Sequence, residues 1–203
     1  MIKKRKTILL FCFAFLAALL TTAAALQTEQ QALAGKLIRL HVVANSDSKE
    51  DQALKLMVRD AVLAAAAPLE AAESDPEAAL EEMLPEIKQA AERCLRAQGC
   101  MDPVQVQLGS ERFPTRTYDT FALPAGVYRS LRVTIGEGHG QNWWCVVFPS
   151  ICFRATAEEL EEAAQVAGLT EGEIRLITEG EDEYVLKFKL LEWLQVLKVA
   201  LSE

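Results

Sequence analysis

Residues 136–153 read GEGHGQNWWCVVFPSICF, and this stretch decides which fold the sequence predicts. A strand pattern precedes it, in which Leu131, Val133 and Ile135 alternate with polar residues, and a second strand pattern follows at residues 143–148. The three glycines in between can take the positive φ angles that a tight connection needs. The stretch therefore predicts a central β-hairpin.

A strand followed by a helix is predicted upstream. The stretch LIRLHVVA at residues 37–44 alternates in strand fashion and places Arg39 and His41 side by side on one face. Ser48 and Asp51 have the spacing of a capping box, so a helix starts there. Its apolar stripe is predicted to consist of Leu54, Met57, Val58, Ala61, Val62 and Ala65. Its water-facing residues are predicted to be Lys49, Asp51, Lys55 and Arg59.

A second helix and a third strand follow along the chain. Asp75 serves as the N-cap with Pro76 in the first helical position, Pro85 breaks or kinks the helix, and Gly99 ends it. After that, residues 104–108 alternate valine and leucine with glutamine, which is typical of a half-buried strand.

The last part of the chain is predicted to be helical. Thr156 and Glu159 form another capping box, Gly168 closes that helix, and residues 184–201 carry leucines and a tryptophan at helical spacing. Residues 184–188 taken alone are also compatible with a strand. The predicted fold is α+β, a single domain with a mostly antiparallel sheet of about four strands and a central β-hairpin. Amphipathic helices pack on this sheet, after an N-terminal signal or anchor helix.

The amino end predicts export. Four cations at residues 3–6 precede an apolar run, and Ala23, Ala24 and Ala25 offer an A-x-A cleavage site, so residues 1–26 are a signal peptide. The apolar run is also long enough to span a bilayer as an uncleaved membrane anchor. In both cases residues 27–203 form a single extracytoplasmic domain.

The charge balance argues against nucleic acid as a partner. The formal net charge of the chain is −8, and removal of residues 1–26 would bring it to roughly −12. Beyond Lys6 no cluster of lysine and arginine remains that could neutralise a phosphate backbone.

Four cysteines lie outside the predicted signal segment: Cys94, Cys100, Cys145 and Cys152. In an exported chain they are compatible with two disulfides, and the simplest pairing joins Cys94 to Cys100 and Cys145 to Cys152. Alternatively, Cys94 is a buried thiol on the apolar side of its helix. With no CxxC motif and two histidines, no metal site and no cofactor are expected.

One catalytic hypothesis stays open. The GxGxG pattern leads into a strand rather than a helix N-terminus, so it does not predict a phosphate-binding loop. No G-x-S-x-G elbow is present for a serine triad. Cys145, with His41 or His139 as base, could however supply a thiolate nucleophile.

The other hypothesis is recognition of a partner. Trp143 and Trp144 point to opposite faces of one strand, so one can enter the core while the other lies near the surface as a binding hot spot. Burial of both tryptophans under flanking helices explains the pattern equally well.

Two segments carry a resemblance to a known family. The stretches LIRLHVVANSDSKEDQALKLMVRDAVL at residues 37–63 and LPAGVYRSLRVTIGEGHGQNWWCVVFPSICF at residues 123–153 resemble the stage II sporulation protein R family. They bound a family-like core at residues 37–153, which leaves residues 154–203 as a C-terminal helical extension.

The resemblance implies a signalling protein of endospore formation rather than an enzyme. Such a protein is made in the forespore and secreted into the space between the two septal membranes. There it activates the membrane-embedded aspartyl protease of the mother cell that processes the sigma-E precursor. The residues expected to bind this partner are Arg39, His41, His139, Gln141, Asn142, Trp143 and Trp144. The alternative is an exported cysteine hydrolase that acts at the septal cell wall with Cys145 and His41.

Overall fold

The computed structural model describes residues 2–71, 75–118, 120–151 and 156–178. Its elements, in chain order, are α1 (Ile2–Gly35), β1 (Ile38–Val43), α2 (Lys49–Ala66), a 3₁₀ turn (Ala67–Ala71), α3 (Pro76–Ala97), β2 (Val104–Phe113), β3 (Arg116–Thr117), β4 (Ala122–Leu123), β5 (Gly126–Ile135), β6 (Asn142–Phe148), α4 (Ala157–Val166) and α5 (Glu171–Thr178). The helix predicted at residues 184–201 lies outside the described residues.

A four-stranded sheet in the order β2-β5-β1-β6 forms the centre of the molecule. β2 runs antiparallel to β5, β5 parallel to β1, and β1 antiparallel to β6. The expectation of an α+β domain with a mostly antiparallel sheet is confirmed. All six residues of β1 are buried, as expected of a strand covered on both faces.

The predicted central β-hairpin is wrong. β5 and β6, which flank the loop at residues 136–141, are not neighbours, because β1 lies between them and pairs with both. Two strand spacings amount to roughly 10 Å, a gap that a six-residue loop bridges easily. β1, whose six residues are all buried, therefore takes an interior position, and the loop at residues 136–141, called here the crossing loop, passes over its end.

The predicted helix starts are confirmed by side-chain hydrogen bonds. Ser48 accepts from the backbone N–H of Asp51, Asp75 from that of Ala78, and Thr156 from that of Glu159. Such caps satisfy N–H groups that have no partner within the helix. Pro85 lies inside α3 and does not end that helix. The helix α5 was not predicted from the sequence.

Helices cover both faces of the sheet. α2 and α3 pack on one face, called here the α2/α3 face. Its buried sheet residues are Ile38, Leu40, Val42, Val104, Leu131, Val133, Ile135, Cys145, Val147 and Phe148. The end of α1, together with α4 and α5, packs on the opposite face against Phe113, Tyr128 and Val146. This opposite face also carries Arg39, and it is called here the arginine face.

The buried stripe of α2 is rotated by about one residue from the predicted one. Met57, expected in the core, is 44% exposed, whereas Lys55, expected in water, is only 5% exposed. The Lys55 ammonium reaches over to the crossing loop, where it donates to the Gln141 carbonyl at 2.9 Å, and it also donates to Gln52 at 2.6 Å. Burial lowers the pKa of Lys55.

The last turn of α1 belongs to the domain core, since Leu33 and Ala34 are buried there with Leu37. Nearer the amino end, Leu10, Phe11, Phe13 and Phe15 are exposed. Within the residues that the structure describes, no helix has the length and hydropathy that a membrane span requires. The assignment of residues 1–26 as a signal peptide or anchor stays a prediction.

Candidate functional site

A buried arginine is the centre of the arginine face. Arg39 is 0% exposed, although the sequence placed it at a partner-binding surface. Its guanidinium carbon lies 4.1 Å from the centre of the Phe113 ring and 5.0 Å from that of Tyr128. Its Nη2 donates to the Tyr118 hydroxyl at 3.1 Å. Burial lowers the pKa of Arg39, and the neighbouring tyrosines partly oppose that shift.

Several buried polar atoms on this face have no hydrogen-bond partner in the part of the chain that the structure describes. They are Nε and Nη1 of Arg39, Nε2 of His41 and Nε1 of Trp144. His41 and Trp144 are cross-strand partners on β1 and β6, with ring centroids 5.6 Å apart. Phe113 contacts both rings edge-on. The predicted site residues Arg39, His41 and Trp144 are therefore brought together.

A glutamate on β2 connects the polar cluster of Arg39, His41 and Trp144 to two residues of β5. Glu111 accepts hydrogen bonds from Arg132 at 2.8 Å, from Ser130 at 2.8 Å and from His41 Nδ1 at 3.1 Å. Burial acts to raise the pKa of Glu111, but these hydrogen bonds outweigh it and the pKa lies below its ordinary value. Glu111 is thus a carboxylate whose charge is already neutralised by its own neighbours.

A small hairpin covers the cluster. β3 and β4 pair only with each other among the described strands, apart from the main sheet. From this hairpin, the Arg116 guanidinium lies 4.0 Å from the centre of the Trp144 ring. Tyr118 follows β3, and its hydroxyl group donates a hydrogen bond to the Trp144 carbonyl at 3.3 Å.

The Tyr128 ring also contacts the Arg39 guanidinium. Burial raises the pKa of Tyr128 to about 12, so this ring stays neutral.

At one end of the sheet, the crossing loop is joined to the loop after β1 through its backbone. Glu137 N–H donates to the Asn45 side chain at 2.9 Å, and His139 N–H donates to the Asn45 carbonyl at 3.0 Å. Gln141 N–H donates to Asp47 at 2.7 Å. These hydrogen bonds thus hold together the two segments that carry the family resemblance, residues 37–63 and 123–153.

Two glycines of the crossing loop allow this close approach. A Cβ on Gly136, which has a φ of +57°, would overlap with the Asn45 side chain. A Cβ on Gly140 would overlap with the Ser46 carbonyl. The glycines therefore serve packing between loops, which the sequence did not reveal because Asn45 and Ser46 are about 90 residues away.

The remaining predicted site residues lie apart from the arginine face. His139, Gln141 and Asn142 are exposed on the crossing loop and at the start of β6. Trp143 is half-buried on the α2/α3 face, where the Arg59 guanidinium lies 4.6 Å from its ring centre. The expectation that Trp143 and Trp144 point to opposite faces is confirmed, and neither is fully buried.

Cys145 is not placed to act as a nucleophile with His41. It is disulfide-bonded and 0% exposed, and it lies on the α2/α3 face opposite Leu40. His41 points to the other face, towards Trp144. Cys152, the predicted disulfide partner, lies outside the described residues. The guessed bond between Cys94 and Cys100 is wrong, because both thiols are free and half-buried.

Sequence reasoning missed most of the groups that surround Arg39. Glu111, Phe113 and Tyr118 come from β2 and the connection after it, where the predicted strand had ended at Leu108. One signal could have pointed to Ser130 and Arg132, because they lie on one face of a predicted strand, and Tyr128 precedes them at the same two-residue spacing.

A groove of about 980 Å³ lies at the end of the sheet that is opposite the crossing loop. It is lined by Lys36, Arg129 and five acidic residues, namely Glu70, Asp75, Glu77, Glu159 and Glu162. It contains none of the predicted site residues. Among the described residues, no three His, Cys, Asp or Glu side chains are placed so that they could hold one metal ion, and this includes the acidic residues of the groove.

Sheet order, buried arginine and interlocked loops define a single mixed α+β domain with a polar cluster inside one face. The sequence profile of Stage II sporulation protein R (spore_II_R) matches residues 34–158. Stage II sporulation protein R of Bacillus subtilis (strain 168) is 32% identical over 221 aligned residues, which cover 96% of this chain and 99% of that protein. No solved structure matches the chain. The chain therefore belongs to the stage II sporulation protein R family and is a protein of sporulation.

Proposed function

We propose that the chain is an exported signal of endospore formation that activates a membrane-embedded aspartyl protease, which then processes the sigma-E precursor. In this proposal the forespore secretes the protein into the space between the septal membranes, where residues 27–203 meet the protease. Membership of the stage II sporulation protein R family supports this role, because the relative matches over nearly its whole length and bears the name of a sporulation-stage protein.

The observation that carries the proposal is the interlocked end of the sheet. Backbone hydrogen bonds from Glu137, His139 and Gln141 hold the crossing loop against Asn45 and Asp47. A loop that is already ordered loses little conformational entropy when it binds, so it suits recognition. The exposed side chains of His139, Gln141 and Asn142 would then make the contacts.

Activation follows if the bound signal prefers one state of the protease. A ligand shifts a conformational equilibrium only by its difference in affinity for the two states. The chain would thus supply binding free energy, while the protease supplies the catalytic groups.

The alternative of a cysteine hydrolase receives no support from the described residues. Its two residues, Cys145 and His41, point to opposite faces of the sheet, and the thiol is already oxidised. The half-buried tryptophans and exposed amides at the start of β6 agree better with a binding surface.

A substitution at the exposed loop end tests the proposal. Asn142→Ala and His139→Ala should leave export unchanged and reduce processing of the sigma-E precursor in sporulating cells at least several-fold. Gln107→Ala is the matched control, because Gln107 is an exposed amide on β2 at the opposite edge of the sheet. Export is followed by immunoblot of the chain and processing by immunoblot of the precursor. Full processing with both loop variants would remove this loop from the interface.

A further inference from the structure

We propose that the arginine face is a binding site for a carboxylate group of the partner, which pairs with Arg39 and Trp144 beneath the β3–β4 hairpin. The identity of the partner rests on the proposed function, whereas the binding of a carboxylate does not. The site would take the side chain of an aspartate or glutamate, or a free chain terminus.

The first argument is the missing counter-charge. In the part of the chain that the structure describes, the ionisable groups that act on Arg39 are two tyrosines and Arg116, and no carboxylate is among them. A buried cation without an opposite charge is unfavourable for folding, so proteins rarely bury one for stability alone. Polar groups that break this rule concentrate at functional sites.

The second argument is the set of unused donors. Nε and Nη1 of Arg39 and Nε1 of Trp144 have no acceptor among the described residues, and both side chains lie against the Phe113 ring. A guanidinium N–H that has no acceptor favours a charged acceptor such as a carboxylate oxygen, because charge-assisted hydrogen bonds are the stronger ones. An indole N–H is a donor only, so it too favours an acceptor oxygen.

The third argument is the local excess of positive charge. Arg39, Arg116 and Arg132 lie around the cluster, while Glu111 supplies one carboxylate. Glu111 is already engaged by Arg132, Ser130 and His41, so it does not serve Arg39. In a chain of net charge −8 this local surplus of cations is unusual, and it would attract an anionic group.

Access depends on the small hairpin. Arg116 is exposed and covers the Trp144 ring, while Tyr118 bridges Arg39 and the Trp144 backbone. β3 is exposed, whereas both residues of β4 are buried in the core, so the route to the cluster lies on the exposed side of the hairpin at Arg116. Displacement of the Arg116 side chain from the Trp144 ring would open this route to an incoming carboxylate.

The indole N–H signals of the tryptophans give a direct test. The chain has three tryptophans, and a ¹⁵N–¹H NMR spectrum of the purified full chain in detergent should show one indole signal for each. The probes are acetyl-triglycine with a free carboxyl end, acetyl-Gly-Asp-Gly-amide, and the neutral acetyl-triglycine amide. The two acidic probes distinguish a chain terminus from an aspartate side chain. We expect at least one of them to shift the Trp144 signal, and the neutral amide to leave it in place.

Three variants complete the test. Trp144→Phe assigns the signal and, by removing one donor, should weaken binding about two- to tenfold. Arg39→Met should abolish the shift, whereas Arg112→Met removes an exposed arginine of β2 and should bind like the unmodified chain. An unchanged Trp144 signal with both acidic probes overturns the proposal, even if Arg39→Met does not fold. An equal shift in Arg39→Met also overturns it, because Arg39 would then take no part in binding the carboxylate. Full precursor processing with Asn142→Ala and His139→Ala, together with normal carboxylate binding by the purified chain, would count against the proposed function instead.

Discussion

The two faces of the sheet are built from the same strands but differ in chemistry. On the α2/α3 face, β1 contributes Ile38, Leu40 and Val42 to a core of aliphatic side chains. On the arginine face, the alternate residues Arg39 and His41 enter a cluster in which some buried donors have no acceptor among the described residues. One strand can therefore contribute apolar side chains to the core on one face of the sheet and hold buried polar groups on the other face.

The two faces contribute differently to the free energy of folding. Apolar burial on the α2/α3 face stabilises the domain roughly in proportion to the area removed from water. Buried polar groups on the arginine face oppose folding unless a partner satisfies them. We therefore expect substitutions on the first face to act on stability and those on the second to act mainly on binding.

The largest effect is expected from Leu131→Ala on the α2/α3 face. Leu131 is fully buried in β5, so its truncation leaves a cavity and should lower the free energy of unfolding by about 2–5 kcal/mol. Val127→Ala on the same strand is the control, because Val127 is exposed and its truncation should cost less than about 1 kcal/mol. Urea denaturation measures both. Equal losses would mean that this face is not the stabilising one.

Gly140→Ala should have the next largest effect, at the end of the sheet where the loops meet. Its new methyl group would collide with the Ser46 carbonyl, so we expect a loss of about 1–3 kcal/mol in the free energy of unfolding. Gly109→Ala on β2 is the control, since no atom lies within 4 Å of the added Cβ. A Gly140→Ala chain as stable as the control would show that the two loops are not in contact.

Glu111→Gln should have a smaller effect that depends on pH. At neutral pH the loss of the charge-assisted hydrogen bonds from Arg132 and His41 should cost about 1 kcal/mol. Because the pKa of Glu111 is lowered on folding, its stabilisation is complete above about pH 4.5 and is lost as the pH falls through the lowered value. The difference in melting temperature between the two chains should therefore shrink in acid. The exposed Glu81→Gln variant should match the unmodified chain throughout.

Arg39→Met should change stability least. Replacement of a buried charge by an apolar side chain of similar volume is often neutral or stabilising, so the free energy of unfolding should stay within about 1 kcal/mol or increase. Thermal and urea unfolding of this variant provide the measurement. A loss of several kcal/mol would assign Arg39 to the structural core and would remove the contrast between the two faces.

Part of the site followed from the sequence, namely the residues that share an element. Alternation along residues 37–44 correctly placed Arg39 beside His41. Alternation along residues 143–148 correctly placed Trp143 and Trp144 on opposite faces. The degree of burial did not follow, because it depends on which strands flank β1. Lys55 illustrates this, since a carbonyl of the crossing loop, 86 residues away, holds its ammonium group in the interior.

The sequence by itself determined the local elements of this protein and its family. Helix starts at Ser48, Asp75 and Thr156 depend on hydrogen bonds between residues three apart, so short-range patterns suffice to predict them. Only the tertiary structure decided that β1 separates β5 from β6, and that Glu111 and Arg116 join Arg39 on one face. Strand order and side-chain neighbours across a sheet result from competition among distant segments for burial, and local periodicity carries no information about that competition.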